Sequence, residues 1–438
     1  MPRKSKLWER VARGEGDSGK SLFVSELGQV NLDGLKILHH GLDTVRQLYT
    51  CVLKPFVLED IKRINDEHTG ELLELAGELW LVGSGGKSGY RYRLQNSDLG
   101  LIIFVKSNYV DSINFGGHIK IECSPHWIDT RSPDVMDREL WAFAGLLGDN
   151  VEPSGCAVHI CCDVQGWEPG NDFLDRIVTR ARRITHHRSN VAAYMDTGEV
   201  ATVFGRSESY LMGSPTSVQF ALYRKDVQVR KLDKMDYWSE VWSRLRDDNM
   251  GLIYDKDKPV WRLEFRYHQN VVGQFADGHA SQLEYGFTIE RRRNWESISG
   301  LSKHLYGLWC YALDVFRLEV SARGYGSYVD PVWQLLRDDI KFSDHDGTFL
   351  YRRVYKTPGV DNERNLMLAV GNLISCYARN RYDAGFAFKC LKKSGIYADL
   401  YNYMAARAYQ RHEPFRERDV FLYVQRSLSE RMLRGVAV

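Results

Sequence analysis

Three segments of the sequence alternate apolar and polar residues, and this period of two constrains each of them to a β-strand with one apolar face. The first segment is SYLMGSPTSVQFALYRKDVQ, in which Val218, Phe220 and Leu222 share the apolar face. Tyr223 falls on the opposite face, two residues before Lys225. A tyrosine in this position is available as a nucleophile, and a lysine beside it can steady a phosphate or favour the phenolate.

The second segment, PVWRLEFRYH, has the apolar residues Trp261, Leu263 and Phe265. Its polar face carries Glu264 between Arg262 and Arg266. A carboxylate flanked by two arginines is a poor core element and is typical of a phosphate or metal site. The alternative is a purely structural ion pair between Glu264 and one of the two arginines.

The third segment, CAVHICCDVQG, places His159, Cys161 and Asp163 on one face of a strand. Carboxylates that converge on one sheet face repel each other unless a cation lies between them. If the strands converge, we expect Asp163 and Glu264, with His159, to hold Mg²⁺ or Mn²⁺. The alternative for His159 is a hydrogen-bonded place in the core.

In this order, the three strands and the segments between them resemble the trans-acting plasmid rolling-circle replication initiators (the Rep_trans family), together with related relaxases and phage initiators. The family pattern is a strand ending in an acidic pair, a basic helix, a Gly-Ser turn, a strand ending in Tyr-x-Lys and an Arg-x-Glu strand. The matching segments here are HICCDV, RIVTRARRITHHR, MGSPTSVQF, LYRKD and WRLEFR. They lie between Cys156 and His268, about a quarter of the chain. One departure is His159, which stands where the family has a second acidic residue.

The resemblance implies an enzyme that binds a replication origin, in single-stranded or hairpin form, and nicks and rejoins one DNA strand. Tyr223 would attack the phosphorus and leave a 5′-phosphotyrosyl link and a free 3′-hydroxyl, while Asp163, Glu264 and His159 hold the metal. Host helicase and polymerase are the partners that the family implies. Tyr254, in LIYDKDKPVW, is the alternative nucleophile. The alternative functions are a conjugative relaxase with the same chemistry and a non-enzymatic DNA-binding regulator.

Basic residues predict where DNA would lie. The predicted DNA-binding residues are Arg180, Arg182, Arg183 and Arg188 on a basic helix, with Arg262, Arg266 and Lys87. A helix this rich in arginine and poor in acidic residues favours phosphate contacts over base reading. The loop GSGGKSG, which contains Lys87, is not a P-loop, because the strand-like YRYRL follows where a P-loop needs a helix.

The predicted fold class is α+β, with an antiparallel-sheet catalytic domain of the replication-initiator type followed by a mostly helical C-terminal domain. Residues 1–30 are expected to form a basic flexible arm, residues 31–275 the nicking and DNA-binding domain, and residues 276–438 the helical domain. The net charge of +2 is close to zero, so a nucleic-acid partner must be inferred from local patches.

The cysteines and the lack of long apolar runs indicate the cellular compartment of the protein. Eight cysteines without a C-x-x-C pair indicate reduced thiols. The N-terminal residues lack the apolar run of a secretory signal, and no run of about eighteen apolar residues predicts a membrane span. We therefore expect a cytoplasmic protein without a membrane partner. The oligomeric state, with a homodimer among the alternatives, is left open.

Overall fold

A computed structural model of the chain divides into two compact units, Met1–Val354 and Tyr355–Val438. The structure describes residues 5–11, 21–67, 71–181, 183–184, 209–214, 217–246, 251–276, 279–283, 286–290, 295–321, 327–342, 351, 353, 363–410 and 413–433. No helix in these ranges is long and apolar enough to cross a membrane.

In chain order the strands are β1 (Glu9–Val11), β2 (Leu22–Ser25), β3 (Gly28–Asn31), β4 (Lys36–Leu53), β5 (Leu72–Leu75), β6 (Glu78–Ser84), β7 (Tyr90–Asn96), β8 (Leu101–Ser107), β9 (Gly116–Cys123), β10 (Gly148–Gln165), β11 (Ile177–Val178), β12 (Arg183–Ile184), β13 (Ser209–Met212), β14 (Gln219–Arg224), β15 (Trp261–Tyr267), β16 (His279–Leu283), β17 (Gly286–Glu290) and β18 (Arg317–Leu318). The helices are α1 (Pro55–Glu67), α2 (Pro125–Asp129), α3 (Pro133–Leu147), α4 (Phe173–Arg176), α5 (Lys225–Lys231), α6 (Met235–Trp242), α7 (Gln269–Ala276), α8 (Ile298–Ser302), α9 (Leu305–Val315), α10 (Pro331–Asp339), α11 (Glu363–Arg379), α12 (Ala384–Lys393), α13 (Tyr397–Gln410) and α14 (Glu417–Leu433).

The described part of the first unit is built on an eleven-stranded sheet in the order β12-β13-β14-β15-β10-β4-β9-β8-β7-β6-β5. Every pair of neighbours in it is antiparallel. The two longest strands, β4 and β10, have 18 residues each and pair along the middle of the sheet. The large antiparallel sheet and the helices confirm a mixed α+β fold.

One face of the sheet is apolar, as the alternation predicts. Phe220 of β14 and Phe265 of β15 have ring centroids 5.1 Å apart and are both fully buried. Helices that follow residue 295 cover this face, since Phe265 packs against Trp309 at 5.0 Å and Phe220 against Trp333 at 6.2 Å. The first unit therefore extends beyond residue 275, where the sequence pattern places the end of the α+β domain.

Short-range sequence signals agree with several local elements. Pro55, followed by apolar residues at helical spacing, favours a helix, and this segment forms α1. The amphipathic segment MDRELWAFAGLLGD favours a helix that ends at Gly148, and most of it lies in α3, which Ser132 caps by accepting from the Val135 N–H. The GSGGKSG loop is a hairpin turn, with a short 3₁₀ segment at Gly86–Ser88 between the paired strands β6 and β7.

Two expectations are wrong for the residues that the structure describes. Instead of a flexible arm, residues 5–11 and 21–31 contain β1, β2 and β3, which form an antiparallel sheet. The predicted basic helix from Arg176 to Arg188 does not form in its described part, because α4 ends at Arg176 and β11 follows at once. Arginine favours a helix, but helix propensity is a weak preference that tertiary context overrides, and here Ile177 and Val178 pair with β18 instead.

Beyond Gln274 the prediction of helices alone is also too simple. The hairpin of β16 and β17 comes first, and helices follow from Ile298. The second unit is helical in its described residues, as predicted. Helices α11 to α14 pack around a core of their own, which includes Val370, Ile374, Leu391 and Val424.

The N-terminal segment is anchored by Trp8, which is 5% exposed. Its backbone N–H donates to Gln334 Oε1 at 2.9 Å, its carbonyl accepts from Gln334 Nε2 at 2.9 Å, and its indole donates to the Val329 carbonyl at 2.8 Å. The first strands of the chain are thereby tied to the segment around α10.

We predict that Trp8→Ala lowers the free energy of unfolding of the first unit by about 3–5 kcal/mol, because it opens a cavity under the N-terminal sheet. Leu7→Ala is the matched control, since Leu7 is 62% exposed and its loss should cost less than about 0.5 kcal/mol. Urea titration followed by circular dichroism measures both. Equal stability of the two variants would show that this segment does not contribute to the fold.

Candidate functional site

The three strands predicted to carry chemistry are neighbours in the sheet, in the order β14-β15-β10, and β4 lies next to β10. The register pairs Tyr223 with Arg262, Asp163 with Arg262 and His159 with Arg266. Residues opposite each other in a sheet point to the same face. The predicted polar faces therefore form one continuous polar surface.

Glu264 is the centre of this surface and is 1% exposed. Tyr223 donates its hydroxyl hydrogen to Oε2 at 2.7 Å, and Arg266 Nε donates to Oε1 at 2.8 Å. His159 Nδ1 lies 3.0 Å from the same Oε1. Burial alone would raise the pKa of Glu264, but Arg266 and His159 bring this pKa well below its usual range. Glu264 is therefore an ionised acceptor at neutral pH.

Tyr223 is in the opposite situation. Burial, and then the neighbouring Glu264 charge, raise the pKa of its hydroxyl well above the usual value. The phenol is therefore protonated at neutral pH and acts as a donor. To act as a nucleophile it would have to lose this proton during attack, and Glu264 Oε2 is the acceptor to which its hydroxyl already donates a hydrogen bond.

Asp43 is the residue that the sequence reasoning missed. It lies in β4 at a β-bulge, because His159 pairs with Thr44 and Ile160 with Leu42, which leaves Asp43 as the extra residue. A bulge changes the direction in which the side chain of its extra residue points, and bulges are common next to active sites. The sequence contained a signal for this bulge: Gly41 and Asp43 lie inside a strand-like segment, although glycine and aspartate are both depleted in strands.

Asp43, His159 and Glu264 form a group that could hold a metal ion, with one ligand atom from each lying within 4.8 Å of the others. Two carboxylates and an imidazole fit a divalent cation, and the imidazole favours Mn²⁺ over Mg²⁺. In the arrangement without metal, Arg46 Nη1 lies 3.1 Å from His159 Nε2. An arginine can only donate, so Nε2 accepts this bond.

The cations around this group at least match the carboxylates among the described residues. The carboxylates are Asp43, Glu122, Asp163 and Glu264, and the cations paired with them include Arg46, Lys120, Lys225, Arg262 and Arg266. A divalent cation would therefore add charge that the side chains do not compensate. A phosphodiester that enters with the cation would supply the missing negative charge.

Asp163, predicted from the sequence as a metal ligand, is instead held by Arg262 through two contacts of 2.5 and 2.7 Å. The indole of Trp242 donates to its Oδ2 at 2.8 Å. Asp43 takes the third place in the candidate metal group. The same contacts correct the DNA-binding role predicted for Arg262, because it is fully buried and also contacts Asp43. Its donors are turned toward carboxylates and not toward solvent.

Lys225 begins α5, and its Nζ lies 3.3 Å from Asp43 Oδ1. The ammonium also lies 5.9 Å from the centre of the Tyr223 ring. Burial, and then the Arg262 charge, lower the pKa of Lys225 from its usual value. A buried lysine with a lowered pKa can both neutralise charge and give up a proton.

The polar surface opens into a cavity of about 720 Å³, a volume that suits a nucleotide. Its lining includes Tyr223, Lys225, Glu264 and Arg266. Tyr254, the alternative nucleophile, is not part of this lining and packs against Trp242 with ring centroids 5.3 Å apart. Between the two tyrosines, the geometry favours Tyr223.

The remaining predicted DNA-binding residues are distributed as follows. Arg266 lines the cavity, and Arg180 is exposed between β11 and β12. Arg183 lies in β12, and its side chain, like that of Lys87, lies outside the described residues. Arg182 and Arg188 also lie outside the described residues. The structure therefore brings together the strand residues but leaves the basic segment as a prediction.

No protein-family model matches the sequence. The chain is 35% identical over 443 residues to a protein of Pseudomonas phage Pf1 that bears the name uncharacterized protein ORF430. The similarity covers 98% of each chain. It therefore spans both compact units and is not confined to the strands of the candidate site.

We predict that the free energy of unfolding falls with pH below about 4.3, the pKa of an unfolded glutamate, because the depressed pKa of Glu264 makes the unfolded chain bind more protons. Each such proton contributes a slope of about 1.4 kcal/mol per pH unit. Glu264→Gln should reduce this slope, measured by urea titration between pH 2 and pH 6. The exposed Glu59→Gln is the control, and an equal slope in both variants would contradict the assignment.

Proposed function

We propose that this chain, which belongs to the same family as ORF430 of Pseudomonas phage Pf1, is a metal-dependent DNA nicking and joining enzyme that initiates rolling-circle replication. The observation that carries the proposal is the 2.7 Å hydrogen bond from Tyr223 to Glu264, beside a group of side chains able to hold a divalent cation. A nucleophile, its base and a candidate cation site thus border one nucleotide-sized cavity.

In this proposal the Tyr223 oxygen attacks the scissile phosphorus while its proton passes to Glu264 Oε2. The bond from phosphorus to the 3′-oxygen breaks, which leaves a 5′-phosphotyrosyl link and a free 3′-hydroxyl. Lys225 can give the leaving 3′-oxygen its proton, since burial lowers the pKa of the ammonium. The reverse reaction rejoins the strand without a nucleotide cofactor.

Arg266 and Lys225 line the cavity and supply positive charge to the pentavalent phosphate. Asp43, His159 and Glu264 would hold the cation, which when bound polarises a non-bridging oxygen of the scissile phosphate. Arg262 would act indirectly, as a positioning residue, because it keeps Asp43 and Asp163 ionised and in place. The substrate would be a single-stranded or hairpin segment of an origin, and host helicase and polymerase would extend the 3′-hydroxyl.

The phage origin of the relative supports an initiator of phage replication over a conjugative relaxase, although the chemistry of both is the same. A different class of function has one observation in its favour. Buried carboxylates paired with arginines, such as Asp163 with Arg262, also occur as purely structural networks. In that case the chain would be a DNA-binding protein without nicking activity.

We predict that Tyr223→Phe lowers nicking of a supercoiled origin plasmid by about a thousandfold or more, because the nucleophile is lost. Tyr254→Phe is the matched control and should nick like the unmodified protein. Covalent protein–DNA adducts on denaturing gels are the second readout. Adducts that persist in Tyr223→Phe, or that vanish only in Tyr254→Phe, would reject Tyr223 as the nucleophile.

We predict that Asp43→Asn and Glu264→Gln each weaken Mn²⁺ binding by tenfold or more, since each removes an anionic ligand. Mn²⁺ binding is measured by electron paramagnetic resonance with a non-cleavable origin oligonucleotide present. Glu122→Gln is the control, because Glu122 lies near the group but outside it. Weaker binding in Asp163→Asn but not in Asp43→Asn would restore the ligand set that the sequence predicted.

A further inference from the structure

The charge of the chain is divided unequally between its two units. Residues 355–438 contain 14 Lys and Arg against 8 Asp and Glu, a net charge of +6. Residues 1–354 contain 45 Lys and Arg against 49 Asp and Glu, a net charge of −4. The unit with the candidate nicking site therefore repels DNA at long range, and the helical unit attracts it.

Exposed lysines share a face of α12 with an exposed phenylalanine. Phe386, Lys389 and Lys393 are spaced by three and four residues and so share a helix face. All three are exposed, and the phenylalanine exposes 48% of its surface. Lys392 is exposed beside them.

The start of α14 extends this face. Lys392 Nζ lies 2.6 Å from Glu417 Oε1, which also accepts a hydrogen bond from the Tyr397 hydroxyl at 2.8 Å. Arg416 and Arg418, on either side of Glu417, are both exposed. We call this surface the α12–α14 patch, and its cations are Lys389, Lys392, Lys393, Arg416 and Arg418.

Helix stability accounts for only part of the patch. Lys392 and Lys393 lie in the last turn of α12, where cations interact favourably with the helix dipole. Arg416 and Arg418 lie at the start of α14, where the dipole disfavours cations. The start of α14 also carries two carboxylates: Glu417 is paired with Lys392, and Asp419 accepts from the backbone N–H of Arg416. The five cations of the patch outnumber these two carboxylates, and this excess of positive charge indicates an anionic partner.

We propose that the α12–α14 patch is a second DNA-binding surface, which contacts the phosphate backbone without selecting sequence. Flexible lysines and arginines on an exposed helix face suit phosphate contacts, whereas base reading needs a few side chains fixed in a groove. The patch supplies the non-specific affinity that the first unit, with its net negative charge, does not provide. This role goes beyond nicking and does not require that Tyr223 be the nucleophile.

The test uses the full-length chain carrying Tyr223→Phe, in EDTA, so that binding is measured without cleavage. Lys389→Gln/Lys393→Gln is compared with Arg379→Gln/Arg381→Gln, which removes the same charge at the end of α11 and in the turn before α12. Fluorescence anisotropy is recorded with two labelled duplexes of unrelated sequence and with a single strand, at several salt concentrations. Circular dichroism checks that both variants fold.

The patch variant should bind duplex about tenfold more weakly at 0.1 M salt, with a slope of log K against log salt reduced by nearly two. The control variant should keep the slope of the unmodified protein. Equal losses in the two variants would mean that only net charge matters, and unchanged binding would mean that the patch does not contact DNA. A loss confined to one duplex sequence would also overturn the proposal, because the patch would then read bases.

Discussion

Arg262 is a fully buried cation on β15 that two carboxylates from neighbouring strands neutralise, and the polar surface of the sheet depends on it. Asp163 of β10 accepts from it in a bidentate arrangement, and Asp43 of β4 contacts its remaining nitrogen. Removing one partner of such a buried pair leaves an uncompensated charge, at a cost of about 3–5 kcal/mol. The three central strands are thus held in register by charge as well as by backbone hydrogen bonds.

The same arrangement leaves Glu264 to other partners. Because Arg262 is occupied by Asp43 and Asp163, the partners of Glu264 are Arg266, His159 and the Tyr223 hydroxyl. The ionised carboxylate thus lies beside a protonated phenol, which is the arrangement from which the proposed proton transfer would start. Helices α5 and α6 cover part of the polar surface. The rest of it lines the cavity of about 720 Å³.

The two units differ in net charge and in architecture. The first unit has a net charge of −4, and the proposed nicking would take place at its polar site. The helical unit has its own apolar core and a net charge of +6, which under the proposal made above would favour capture of DNA. Similarity to the Pf1 protein covers both units.

Local periodicity determined much of the site from the sequence alone. The alternation of apolar and polar residues around Tyr223, Glu264 and His159 predicted that each lies on the polar face of its strand, because side chains in a strand alternate with a fixed period of two. Apolar residues at helical spacing, with Pro55 at the start of one segment and Gly148 at the end of the other, likewise indicated α1 and α3. What alternation cannot show is which strands are neighbours or how their registers align. Asp43 belongs to the candidate metal group because a bulge in β4 lies opposite His159. Asp163 does not belong to it, because the strand register places Asp163 beside Arg262. The N-terminal strands and the helices after residue 295 joined the first unit for the same reason: their burial depends on surfaces distant in sequence, such as Gln334 for Trp8 and Phe265 for Trp309, which only the tertiary structure brings together.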